Sequence, residues 1–117
     1  MFIQHNGEQF FTVSFGAATT RTIVGIGGWT GSWEVWADVF GLLSQSWRTV
    51  GIDHRGTGAT TASTENVTID QMAADLLAVL DAMGIENCVL AAESSGTAVA
   101  PYRRPPTTRL FFRTSTL

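Results

Sequence analysis

An α/β fold, with a mostly parallel sheet entered through an N-terminal hairpin, is what this sequence predicts, and three observations predict it. Short apolar, β-branched runs end in glycine or polar turns, as strands buried on both faces do. Segments with helical spacing separate these runs, so crossovers join neighbouring strands. Asn6-Gly7 stands between the first two extended segments, and a type I′ turn needs two residues that tolerate positive φ.

Residues 2–4 and 9–15 read as the hairpin strands. Thr22-Ile23-Val24-Gly25-Ile26 reads as a buried strand closed by Gly27-Gly28. Over 34–43, Val35, Val39, Leu42 and Leu43 fall at the spacing of one helical face. Arg48-Thr49-Val50-Gly51-Ile52 repeats the strand pattern and runs into Asp53-His54-Arg55-Gly56-Thr57-Gly58. The next helix is the best marked. Thr68 and Gln71 form a capping box, and Val67 and Met72 are placed as a hydrophobic staple. Ile69, Met72, Ala73, Leu76, Leu80 and Met83 share a face; Gly84 suits the left-handed position beyond the helix, with Ile85 closing back on Leu80. A strand over 88–92, a tight turn Glu93-Ser94-Ser95-Gly96 and a helix start at Thr97-Ala98-Val99-Ala100 follow. Pro101 would cost a continuing helix about 3 kcal/mol. Residues 101–117, rich in Arg and Pro, show no period and are expected to be irregular, with Leu110-Phe111-Phe112 an apolar patch that has nothing evident to pack on.

A chain of 117 residues fits one domain of modest size. Its 44% hydrophobic and 15% charged composition is that of an ordinary globular protein. No apolar run is long enough for a transmembrane helix, and the first eight residues, Met1-Phe2-Ile3-Gln4-His5-Asn6-Gly7-Glu8, lack the regions of a secretory signal. The single Cys88 excludes an internal disulfide and fits a reducing cytoplasm. Charge is divided unevenly. Residues 1–100 hold three arginines against ten acids, a net −7, whereas 101–117 hold four arginines and no acid, a net +4. Four arginines without a folded basic face do not make a nucleic-acid arm. No metal-ligand spacing is visible, so neither metal nor cofactor is expected.

Ala92-Glu93-Ser94-Ser95-Gly96 is a small-x-Ser-x-Gly elbow between an apolar strand and a helix start. Such a turn lifts the Ser94 hydroxyl above the sheet, and Ala92 and Gly96 are small because backbone passes close by. The alternative is a plain strand–helix turn with capping serines. Gly27-Gly28 lets the chain turn so that an amide faces a developing oxyanion; Trp29 supplies the first such amide and Ser95 the second. The indoles of Trp29 and Trp33 are candidates to line a pocket, and those of Trp36 and Trp47 to pack in the core.

In order and spacing these motifs resemble the α/β-hydrolase superfamily over roughly residues 8–100. Asp53-x-Arg55-Gly56-x-Gly58 matches the family's Asp-x-Arg-Gly-x-Gly, and Gly27-Gly28 stands where His-Gly is usual. The resemblance implies the front part of an α/β-hydrolase fold over 1–100, followed by a tail outside the family pattern. It implies a serine hydrolase of esters, lactones or related acyl compounds, acting on a small molecule through an acyl-enzyme on Ser94, with no nucleic-acid or membrane partner. Ser94 disfavours the aspartate-nucleophile branches.

The family places its acid and histidine after the serine, and here no residue after Ser94 is acidic or histidine. A truncated or frame-shifted form, inactive by itself, is therefore expected. Family topology separates His54 from the elbow by two strand spacings, roughly 10 Å, against the about 2.6–3.2 Å that proton transfer needs. His54 is thus expected to be a solvent-facing loop residue, Asp53 a loop or cap carboxylate, and Glu93 a flank of the elbow. A sheet cut beside 88–92 would expose an edge and favour self-association. Two rivals remain. One is a non-catalytic interaction module of this fold. The other is a Rossmann-like nucleotide binder, suggested by Gly25-x-Gly27 and Asp53 but disfavoured by Thr30 and bulky Trp29.

Overall fold

A computed structural model describes residues 1–17, 21–28, 31–65, 67–93 and the backbone of 109–113. Six strands form one sheet: β1 (Phe2–His5), β2 (Glu8–Phe15), β3 (Thr22–Ile26), β4 (Arg48–Ile52), β5 (Val89–Glu93) and β6 (Arg109–Arg113). Their order is β1-β2-β4-β3-β5-β6, antiparallel as far as β4 and parallel from β4 onward. Asn6 and Gly7 turn the hairpin at φ 49° and 76°, both positive as the I′ turn requires.

Alternation along β3 sends Val24 and Ile26 to one face and Ile23 to the other. On the first face, α2 (Ile69–Ala82) buries Met72, Ala73, Leu76, Val79 and Leu80 against Phe10, Val50, Ile52 and Leu90. Thr68 Oγ1 accepts the Gln71 amide at 3.0 Å, one half of the expected capping box. The other half is not made, because Gln71 Nε2 donates to Asp75 Oδ1 at 2.9 Å. The helix ends as foreseen: Gly84 sits at φ 71°, and the amides of Gly84 and Ile85 donate to Asp81 and Leu80 carbonyls at 3.0 and 2.9 Å.

The second face carries a 3-10 turn, Trp33–Trp36, and α1, Ala37–Leu43. Here the expected helical face is corrected. Val35 and Leu42 are 47% and 82% exposed, while Trp36 and Phe40 are buried. The 3-10 turn breaks the helical period over 34–43, and a row of small residues decides what packs. Gly51, Gly25 and Ala91 pair side by side across β4, β3 and β5. A Cβ on Gly25 would come within 2.7 Å of the Trp36 ring, and one on Gly51 within 2.8 Å of Trp33. Mid-strand glycines therefore admit the aromatic rings. Trp36 is core as expected, whereas Trp47 is half-buried under the Arg21 guanidinium, 4.0 Å from its ring centre.

Residues 109–113, expected to be irregular, form β6. Its register runs from Val89↔Arg109 to Glu93↔Arg113, so β5 is not the sheet edge, and Glu93 closes the strand instead of opening the turn. Leu110-Phe111-Phe112, three apolar residues set between Arg109 and Arg113, is too short a run to show a period, which is why the strand was not read from the sequence. Among the described residues no helix is long and apolar enough to cross a membrane.

Candidate active site

The parallel strands β4, β3 and β5 end on one side of the sheet. Ile26, the last residue of β3, pairs with Ala92, so β3 and β5 end within one residue of each other. Ala92 is fully buried and Gly27 buried, the close packing that small residues at these positions anticipate. A Cβ on Gly27 would lie 3.2 Å from the Gly31 carbonyl, and the Gly31 amide donates to the Gly28 carbonyl at 3.0 Å. Trp29, Ser94, Ser95 and Gly96 lie outside the described residues.

The loop after β4 meets one expectation and overturns another. Asp53 is a loop carboxylate as expected, 2% exposed and accepting two amides, Trp33 N on Oδ1 at 2.8 Å and Ala59 N on Oδ2 at 2.9 Å. It thereby braces two loops. Gly58, at φ 51°, is required here, since a Cβ would collide with the Asp53 carboxylate.

His54, expected in solvent, is 3% exposed, with Nε2 3.1 Å from the Gly27 carbonyl. A carbonyl only accepts, so Nε2 carries the proton. Burial pushes the His54 pKa below its ordinary value, opposed by the Gly27 hydrogen bond and the Asp75 and Asp53 charges. The loop is tied to itself as well. Thr57 Oγ1 donates to the His54 carbonyl and Thr60 Oγ1 to that of Asp53, both at 2.6 Å.

Arg55 is the centre of a network that the sequence reading missed. Nε and Nη2 grip Asp75 at 2.7 and 2.9 Å, Nη1 and Nη2 grip Glu8 at 3.1 and 2.8 Å, and Nη1 also donates to the Ser63 carbonyl at 2.8 Å. Every N–H of the guanidinium is used. Asp75 raises the Arg55 pKa further, and Arg55 in turn holds Glu8 below its usual range. The signal was present in the sequence: Asp75 falls on the apolar face of α2, between Met72 and Val79, where a charge needs a partner.

Trp33 sits on the α1 side of the sheet, 5.8 Å from Phe15 ring to ring, beside a shallow apolar groove that includes Ala37 and Phe40. Trp33 is itself one of the residues that line this groove, on the α1 side of the sheet. Among the described residues no group of His, Cys, Asp or Glu could hold a metal.

A family model described as alpha/beta hydrolase fold matches residues 21–102. A protein described as the carbamate hydrolase RutD, from Pseudomonas syringae pv. syringae (strain B728a), is 38% identical over 72 residues, 61% of this chain and 28% of that protein. Wild-type Cfl2 from Burkholderia cenocepacia superposes with TM-score 0.86 at 28% identity, covering 95% of this chain and 39% of its own. An AqdC variant, solved with its substrate to explain recognition and ring-cleavage of the Pseudomonas quinolone signal, gives TM-score 0.77 at 28% identity over 86% of this chain and 38% of its own. The chain spans less than half the length of each of these relatives.

Proposed function

This chain belongs to the α/β-hydrolase family, and from that premise we propose that it carries the nucleophile half of a serine hydrolase of carboxylic esters, lactones or related acyl compounds. The observation that supports the reading is the register Ile26↔Ala92, which brings Gly27 and Glu93, the residue before Ser94, to the same end of the sheet. Ser94 attacks the acyl carbon as a base takes its proton, and the tetrahedral oxyanion is met by the amides of Trp29 and Ser95. Collapse of that intermediate expels the alcohol or amine and leaves the acyl group on Ser94, from which water releases it. The carbamate hydrolase among the relatives supports a substrate whose carbonyl bears a heteroatom leaving group.

The base is not among these residues. His5 lies in the hairpin, and the His54 Nε2 proton is committed to Gly27. Without a base a serine hydroxyl is a weak nucleophile, so the 117 residues alone do not turn over.

Joining the chain to the C-terminal portion of a family relative tests the reading. The joined protein is expected to hydrolyse a p-nitrophenyl ester, and Ser94→Ala to remove that activity. Hydrolysis that survives Ser94→Ala would refute the assignment.

A further inference from the structure

We propose that His54 and Asp53 are positioning residues for the glycine turn after β3, His54 fixing the plane of the Gly27–Gly28 peptide and Asp53 holding the amide of Trp33 at the far end of the same loop. The two contacts, His54 Nε2 to the Gly27 carbonyl at 3.1 Å and Asp53 Oδ1 to Trp33 N at 2.8 Å, bracket the loop.

Between them lie Gly27, Gly28 and Gly31, residues with the widest backbone freedom. A loop of that composition does not hold one conformation by itself. A trans peptide is planar, so a fixed carbonyl also fixes the N–H of the next residue, pointing the opposite way. His54 follows β4, and β5 lies on the other side of β3. Drawing the Gly27 carbonyl to His54 therefore turns the Gly28 N–H away from β4 and toward the end of β5.

The clamp is itself held rigid. Thr57 and Thr60 hydroxyls tie the carbonyls of His54 and Asp53, and the Ala59 amide takes the second Asp53 oxygen. The Trp29 amide of the proposed mechanism belongs to the next peptide, so the clamp acts on it through Gly28, and oxyanion stabilisation depends on donors that need no reorganisation when charge develops. That last link rests on the serine-hydrolase reading; the clamp does not.

The test begins with the full chain labelled with 15N. Ring-nitrogen spectra at neutral pH are expected to show His54 with its proton on Nε2, and a proton on Nδ1 overturns the proposal. Backbone relaxation is expected to give Gly28 an order parameter of about 0.85 in the wild type and in His54→Gln, whose amide can reach the same carbonyl. In His54→Leu it is expected to fall below about 0.6. A Gly28 that stays rigid in His54→Leu overturns the clamp.

In the joined protein, His54→Leu is expected to lower kcat about 10- to 100-fold at unchanged KM, with His54→Gln recovering most of it. Unchanged kcat in His54→Leu overturns the positioning role. Ser94→Ala is scored separately, so a failure of the hydrolase reading is distinguishable from a failure of the clamp.

Discussion

The loops that follow β3 and β4 leave the sheet side by side and are built from opposite materials. Loop 53–58 carries three ionisable side chains, all buried, and their hydrogen bonds reach α2, the hairpin and the neighbouring loop. Between the strand and Ser32, the β3 loop has glycines, a tryptophan and a threonine, and no ionisable side chain. The lesson concerns how a candidate site is read. Aspartate, histidine and arginine in a turn suggest chemistry, yet here each is committed to structural partners. One catalytic donor of the proposed mechanism, the Trp29 amide, is a plain backbone group in the loop those residues hold.

Removing Arg55 is expected to have the largest effect. Arg55→Ala strands the buried Asp75 carboxylate and frees Glu8, a change expected to cost about 3–5 kcal/mol, read by urea denaturation. A loss below about 1 kcal/mol would mean that the β4 loop is not the scaffold described. Gly58→Ala acts on the same loop more gently. It imposes a positive φ on alanine and pushes on the Asp53 carboxylate, at an expected cost of about 2 kcal/mol. Its amide spectrum is expected to shift at Trp33, across the loop boundary, and an unmoved Trp33 would argue that the two loops are independent.

Acid gives the smallest and most graded effect. The folded His54 ring resists protonation, whereas in the unfolded chain it takes a proton near its ordinary 6.5, so stability falls as pH drops through that value. Glu8 stays ionised in the fold below its ordinary 4.5, so a second loss follows as pH drops below that value. Melting temperature measured from pH 8 down to about pH 2 is expected to show both steps, and His54→Gln to abolish only the first. A melting temperature flat through pH 6 would contradict the burial of a neutral ring.

Much of the frame was legible in the sequence. The runs at β3 and β4 give those strands their full bounds because short apolar, β-branched runs that end in a glycine or polar turn leave little ambiguity. Both ends of α2 were readable because capping and the left-handed glycine are local chemistry. The α1 face was not, since Trp36 and Phe40 are chosen by glycines on two other strands. β6 was hidden because three apolar residues between arginines carry no period to read. The burial of Asp53 and His54 was hidden because their partners are main-chain groups, which look alike in every sequence. Of the expected site, Ala92, Gly27 and Gly28 are described at the ends of β5 and β3, while Trp29, Ser94, Ser95 and Gly96 fall outside the described residues.

The division of labour between the two loops is tested most directly by ester turnover of the chain alone. Rates on a p-nitrophenyl ester are expected to match those of its Ser94→Ala and His54→Gln variants, because His54 is scaffold and no base serves Ser94. Turnover that is lost in both Ser94→Ala and His54→Gln would show His54 acting as the base, and would contradict its assignment to the clamp.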